Sequence, residues 1–251
     1  MDPAAVASTV LRLAKCSAAA YEVKPGTPSL GDPAVTIVRH LSDDFTKTRG
    51  FIAEDAGGAS IIAVKGTASL ADALEDACVM QSSFLGKYPV HTGFREEFDC
   101  VWPAVRAYVT ANPARPLFVT GHSLGGAIAT LVALALTKEL GRDVSLVTFG
   151  SPRVGDRTFV REFDRDVPLS VRVVRDNDLV PRVPTTDYAH VKTLLHLDDE
   201  GKVIGRIRDF FRELFMWGET VAADLTGDGL RDHHAQGYVD VVTKWAQGVI
   251  K

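Results

Sequence analysis

Hydrophobic and polar positions change their spacing several times along the chain. At the amino end, Asp2 followed by Pro3 is typical of a helix N-cap and a first helical residue. Three short runs rich in β-branched residues follow, at 35–41, 49–55 and 59–65. The turn signal Gly57-Gly58 lies between the last two of them. This pattern predicts one helix and then the antiparallel start of a sheet.

Helical spacing of apolar residues returns at 69–79, at 94–111 and again near the carboxyl end, where Tyr238, Val241, Val242 and Trp245 share one face. Two short, mostly apolar runs without polar alternation, 116–122 and 144–150, are typical of buried strands. The segment between them is apolar nearly all round, as in a helix covered on several sides. Strand, helix and strand in this order predict a parallel βαβ unit. Further strands are predicted at 170–176 and 189–197, so the fold class is α/β.

Composition bears on the partners, the number of domains and the location that we expect. The 251 residues contain 28 basic and 32 acidic side chains, a net charge of −4, which gives no sign of a nucleic-acid partner. With no repeat or linker, we expect one domain over 1–251. Three cysteines without paired spacing do not predict a disulfide framework. Because no transmembrane stretch or basic leader is visible, we expect a cytoplasmic protein, or a secreted one if a signal peptide has been removed.

The stretch GHSLGG at 121–126 carries the first candidate chemistry. A serine at a sharp strand-to-helix turn has an exposed hydroxyl oxygen, and Gly121 and Gly125 remove the side chains that would collide there. Gly126 lets the helix pack close to the sheet. The amide of Leu124, at the positive end of the helix, is placed to stabilise an oxyanion. The sequence therefore predicts Ser123 as a nucleophile.

At this point the chain resembles the class 3 (fungal-type) lipases of the α/β-hydrolase fold, from about residue 16 to 245. The resemblance rests on pieces in matching order: AAAYE, VKGTASLADALEDA, VHTGF, GHSLGGAIATLVALAL, and FGSPRVGDRTFVREF with VVRDNDLVPRVP. It implies a serine, aspartate and histidine triad in that order along the chain. It also implies a second oxyanion donor at Thr67, although Lys65 stands where the family usually has arginine.

The resemblance assigns the other two triad members from short local patterns. In DNDLVP it selects Asp178, although Asp176 would serve equally well by chemistry alone. The family's histidine is followed five residues later by a tyrosine at the start of the last helix. His233 with Tyr238 fits this pattern, and His234 remains the competitor. His190 and His196 are expected on one face of a strand and are set aside.

Three further segments bear on substrate binding. The helix predicted at about 68–80 occupies the family's lid position, but an ordinary surface helix packed on the core would have the same pattern of apolar residues. At 205–217 an amphipathic face fits either core packing or an acyl-pocket wall. The loop 224–232 resembles a calcium loop, but Ala235 replaces its bidentate glutamate, so no metal is predicted.

These residues predict a serine carboxylester hydrolase, most simply a triacylglycerol lipase or esterase that works through an acyl-enzyme and without a cofactor. Its expected partner is an ester or acylglycerol substrate, met in some cases at a lipid interface. Phospholipase A1 and feruloyl esterase share the family's machinery and stay open as alternatives. A catalytically silent binding module is the alternative from another class. Oligomeric state is not predicted.

Overall fold

Strands of one sheet alternate with covering helices along the chain. The computed structural model describes residues 2–24, 30, 32–42, 48–66, 80–191, 193–206 and 232–250. Its helices are α1 (Pro3–Ala19), α2 (Thr92–Ala111), α3 (Leu124–Leu140), α4 (Arg157–Asp166) and α5 (Ala235–Ile250). Its strands are β1 (Val35–Ser42), β2 (Thr48–Asp55), β3 (Ser60–Val64), β4 (Gln81–Phe84), β5 (Tyr88–His91), β6 (Leu117–His122), β7 (Val144–Phe149), β8 (Leu169–Arg175), β9 (Leu194–Leu197) and β10 (Val203–Arg206).

The central sheet is parallel in its middle and antiparallel at both ends. Its strand order is β1-β2-β3-β6-β7-β8-β9-β10. The pairs from β3 to β9 are parallel, whereas β1–β2, β2–β3 and β9–β10 are antiparallel. The predicted antiparallel start and the parallel β6–α3–β7 unit are therefore confirmed. Because the parallel strands run the same way, their carboxyl ends meet at one edge, where open α/β sheets bind ligands.

Each face of the sheet has its own apolar layer, because successive side chains of a strand point to opposite sides. Ile61 belongs to the layer that includes buried residues of α1 and α5, while its neighbour Ile62 belongs to the layer that includes those of α2, α3 and α4. The first layer continues through Phe149 and Tyr238, and Tyr238 reaches the site described below.

The helix after the serine turn is buried on all sides. Every residue of α3 from Gly125 to Leu136 is buried, as its nearly continuous apolar sequence predicts. The helix ends at Gly141 in the left-handed conformation, φ +62°, which satisfies the last carbonyls and favours glycine. A fully buried helix of this kind fixes the orientation of its first residue firmly.

The amino-terminal helix begins as its sequence predicts. Asp2 caps α1 through a hydrogen bond from the Ala4 amide to Oδ1 at 3.1 Å, and Pro3 is the first helical residue.

Some elements differ from the prediction. Helix α4, the β4–β5 hairpin and β10 were not predicted. Asp156 is the N-cap of α4, and its Oδ1 accepts from the Thr158 and Phe159 amides at 2.8 Å. The strand predicted at 189–197 is wrong in its first half, because β9 begins only at Leu194. His190 and His196 therefore do not share a strand face, and each ring binds a backbone oxygen of another segment, Pro181 and Asp176 respectively.

Candidate active site

Ser123 lies at the junction of β6 and α3 in a strained backbone conformation. Its φ of +59° and ψ of −132° are rare for a residue with a side chain. A Cβ at position 121 would stand 2.2 Å from the Gly125 oxygen, and one at position 125 would stand 2.3 Å from the Val64 oxygen. The two glycines are therefore required by close backbone approach, as the sequence predicts. The Ser123 amide donates to the Phe149 oxygen at 2.9 Å and fixes the turn to β7.

The third glycine of the turn lets α3 approach the next loop of the sheet. A Cβ at position 126 would stand 2.8 Å from the Cβ of Ser151. This contact supports the predicted role of Gly126 in close packing.

A buried histidine and carboxylate pair lies at the same edge of the sheet. His233 Nδ1 is 2.9 Å and 2.8 Å from the two oxygens of Asp178, and both side chains are almost fully buried. The carboxylate also accepts from the Val180 amide at 2.9 Å and from the Tyr238 hydroxyl. An imidazole that donates from Nδ1 presents an acceptor lone pair at Nε2. The pair thus has the geometry of an oriented general base.

Asp176 and His234, the alternatives to Asp178 and His233, are not part of the buried pair. Asp176 accepts a hydrogen bond from the Asn177 side chain, and its own backbone oxygen binds the His196 ring. Burial raises its pKa, with Asp199 acting in the same direction. His234 is exposed. Of the alternatives left open by the sequence, the structure brings together Asp178 and His233.

Gly150 is the point at which the pair meets the sheet. It follows β7 with φ +56°, and its amide donates to the Val173 oxygen. A Cβ at this position would stand 2.8 Å from Asp178 Oδ2 and 2.9 Å from His233 Cε1. Sequence reasoning did not single out Gly150; a glycine directly after a buried strand was the available signal.

The reacting atoms of the candidate triad are unpartnered. Ser123 Oγ and His233 Nε2 are buried, so the exposed hydroxyl oxygen predicted at the serine turn is wrong, and neither atom has a hydrogen-bond partner among the described residues. The ring of His122, the neighbour of Ser123, lies 4.5 Å from the His233 ring between centroids. Hydrogen bonds between a nucleophile and its base are often long before substrate binds. The site therefore offers a free hydroxyl and a free imidazole nitrogen at one edge of the sheet.

His122 is a neutral neighbour of the base. Burial holds its pKa well below the usual range; the charge of the adjacent His233 acts in the same direction, and a hydrogen bond to the His233 backbone opposes it. Its Nδ1 is 2.9 Å from the Tyr21 hydroxyl. Burial also favours the neutral form of Tyr21 and raises its pKa, although a hydrogen bond from the Gly66 backbone opposes this shift. Sequence reasoning missed this contact, for which the AAAYE motif was the only local signal.

The end of β3 packs directly against the serine turn. A Cβ at position 66 would stand 2.2 Å from the Tyr21 hydroxyl and 2.6 Å from the His122 oxygen. Leu124 begins α3, so its amide has no acceptor within the helix. Gly66 is the last described residue here, and the predicted oxyanion donor Thr67 lies outside the described residues.

Other predicted features also lie outside the described residues: the lid segment as far as residue 79, the amphipathic stretch from 207 onward, and the calcium-like loop from 224 to 231. Within the part of the chain that the structure describes, no cluster of histidine, cysteine, aspartate or glutamate could hold a metal ion. No described helix is both long and apolar enough to cross a membrane.

Solved structures share this arrangement of sheet and helices. A lipase from Rhizopus microsporus var. chinensis superimposes with a TM-score of 0.67 over 77% of this chain and 74% of that chain, at 28% identity. A triacylglycerol lipase described as having a serine protease triad as its catalytic centre gives 0.67 over 76% and 79%, at 25% identity. The fold is that of the α/β-hydrolases.

Sequence comparison identifies the family of the protein within the α/β-hydrolases. The family model for lipase (class 3) matches residues 61–188, about half of the chain, and the protein belongs to that family. A secreted mono- and diacylglycerol lipase of Fusarium solani is 36% identical over 148 residues, which cover 54% of this chain and 44% of that protein. The chain spans less than half the length of the first curated relatives it matches, at 44%, 31% and 43%. The Fusarium relative is secreted, and the relatives give no support to the cytoplasmic expectation.

Proposed function

We propose that the protein is a serine carboxylester hydrolase that acts on acylglycerol esters. The observation that carries the proposal is the buried His233, held at Nδ1 by Asp178 and free at Nε2, beside the turn that presents the free Ser123 hydroxyl. Membership of the class 3 lipases supports the reaction class. The similar proteins include a mono- and diacylglycerol lipase and a triacylglycerol lipase, which supports the substrate class.

In the proposed reaction, Ser123 Oγ attacks the ester carbonyl carbon while His233 Nε2 accepts the hydroxyl proton. Asp178 keeps the imidazole in the required tautomer and stabilises the imidazolium that forms. The tetrahedral oxyanion is stabilised by the amide of Leu124, and the family resemblance adds Thr67 as the second donor. The imidazolium then protonates the leaving alcohol as the carbon–oxygen bond breaks.

Water completes the reaction by the same route. His233 accepts a proton from water as the oxygen attacks the acyl-enzyme, and then returns a proton to Ser123 as the acid leaves. The neutral state of His122 matters here, because a second cation against the His233 ring would oppose imidazolium formation. Burial of His122 is thus consistent with a site that must hold a transient positive charge.

The proposal is tested with p-nitrophenyl esters from acetate to palmitate. We expect Ser123→Ala to lower kcat by about 10⁴-fold or more, because an isolated oxyanion site retains only part of the catalysis. Ser151→Ala is the matched control, since Ser151 is also buried and its Cβ lies beside α3. A wild type that hydrolyses none of these esters, or equal activity in Ser123→Ala, would contradict the proposal and favour a silent binding module.

A further inference from the structure

One guanidinium, that of Arg175, lies where three segments meet around the His233–Asp178 pair. Arg175 ends β8, and its side chain is 17% exposed. Nε donates to Asp199 Oδ1 at 2.9 Å, and Nη1 donates to the backbone oxygen of Asp232 at 3.4 Å. Nη2 also lies 3.5 Å from Asp232 Oδ1. The side chain therefore joins the end of β8 to the β9–β10 turn and to the residue directly before His233.

The first turn of α5 is shaped to accept this guanidinium. A Cβ at position 237 would stand 2.4 Å from Arg175 Nη1. Glycine at 237 therefore lets the guanidinium lie directly on the backbone that follows His233. Contacts on both sides of the histidine, at 232 and at 237, come from one side chain.

The backbone of Arg175 contacts the other half of the pair. Its amide donates to the Tyr238 hydroxyl at 3.1 Å, and that hydroxyl donates to Asp178 Oδ2. One residue at the end of β8 thus touches the histidine segment with its side chain and the carboxylate's hydroxyl partner with its backbone.

The guanidinium lies among carboxylates, whose negative charge favours a cation at this place. Asp199 lies close enough to raise the pKa of both Asp176 and Asp232, and Asp176 also raises that of Asp232. Burial raises the pKa of Asp232, Asp176 and Asp199 act in the same direction, and Arg175 opposes them. Without the cation, carboxylates on the histidine segment and on the adjacent turn would repel each other.

We propose that Arg175 is a positioning residue for His233, holding segment 232–237 against the end of β8 so that Nε2 is presented to Ser123. It acts through Asp232 and Tyr238 and touches no substrate. The proposal rests on the hydrolase function proposed above.

The test compares Arg175→Met with Arg115→Met, a matched control. Arg115 is also partly buried and also forms an ion pair, with Glu54 at 2.8 Å, but it precedes β6 at the other end of the strands. Because a displacement of about 1 Å at a catalytic group can lower a rate about 100-fold, we expect about that loss in kcat for Arg175→Met, with KM changed less than about threefold. Arg115→Met should keep wild-type kcat.

Conservative variants separate positioning from folding. Arg175→Lys keeps the charge but loses the planar fork, so it should recover about tenfold of the lost activity. Asp232→Asn removes only the carboxylate on the histidine segment and should lower kcat about threefold. It serves as the second variant if Arg175→Met does not fold. Wild-type kcat in Arg175→Met, or in Asp232→Asn when the first does not fold, would overturn the proposal.

Hydrogen exchange gives a readout that does not depend on ester turnover. Backbone amides of residues 233–241 should exchange faster in Arg175→Met than in the wild type and in Arg115→Met. If the wild type hydrolyses no ester, the proposed function fails, yet faster exchange confined to this segment still supports the positioning role. Unchanged exchange in Arg175→Met would overturn it.

Discussion

The serine turn and the histidine segment are positioned by different physical means. At the turn, backbone contacts around Gly121 and Gly125 leave no room for a side chain and force Ser123 to φ +59°. The segment that carries His233 is held mainly by side chains from elsewhere in the chain, Arg175 and Asp178. The nucleophile is therefore fixed by close backbone contacts, whereas the base is fixed by side-chain hydrogen bonds and charge.

The largest effect should come from crowding the serine turn. Gly125→Ala places a methyl group 2.3 Å from the Val64 oxygen, so β3 and α3 must separate. We expect a loss of about 3 kcal/mol or more in the free energy of unfolding, because backbone cannot move aside as a flexible side chain can. Urea denaturation followed by circular dichroism measures it.

Gly248→Ala is the control for this change. Gly248 lies in α5, and a Cβ there meets nothing within 4 Å. Alanine should therefore stabilise the helix by about 0.5–1 kcal/mol. A similar stability in the two variants would contradict the steric account of the turn.

A methyl group at the meeting point of the pair should affect activity more than stability. Gly150→Ala places Cβ within 2.9 Å of both Asp178 and His233, so one of these side chains must move. We expect kcat to fall about 100-fold from this displacement. Steady-state kinetics on a short-chain ester measure the effect.

Gly141→Ala separates displacement from backbone strain. Gly141 has φ +62°, close to the +56° of Gly150, but a Cβ there meets nothing within 4 Å. Both variants should lose about 1 kcal/mol of stability to left-handed strain. Only Gly150→Ala should lose activity. An equal loss of activity in Gly141→Ala would mean that backbone strain, and not displacement of the His233–Asp178 pair, causes the loss.

The smallest effect concerns the acid stability of the serine turn. Since burial holds the pKa of His122 well below its usual range, the unfolded chain binds a proton below about pH 6.5 that the folded chain does not. Stability is therefore lost as pH falls through that value, by about 1.4 kcal/mol per pH unit for this histidine once the unfolded form is fully protonated. His122→Asn should lose less stability than the wild type between pH 6 and 5.

Urea unfolding at several pH values checks this slope. His234→Asn, a substitution of the same kind at an exposed site, is measured beside it as the control. A wild-type slope in His122→Asn would show that His122 is not a buried neutral group.

The same contrast explains what the sequence could predict. Gly121, Ser123 and Gly125 were predictable because the three residues form one motif within five neighbouring positions. Asp176 and Asp178 could not be separated by chemistry, since their different contacts depend on residues such as Asn177, His233 and Tyr238.

Long-range contacts were beyond the sequence pattern. The hydrogen bond of Tyr21 with His122 joins residues 101 apart, and that of Arg175 with Asp232 joins residues 57 apart. No periodicity encodes such pairs. The apolar runs predicted the middle of the sheet, but His190 was assigned to a strand because an apolar run does not say where pairing begins.

The most direct measurement of the central claim is covalent labelling with an organophosphonate, followed by peptide mapping. We expect one adduct per chain, on Ser123, that is absent from Ser123→Ala. It should form at least about 100-fold more slowly in Asp178→Asn, where the imidazole is no longer held in its tautomer. An adduct on another serine, or no adduct in a folded wild type, would contradict it.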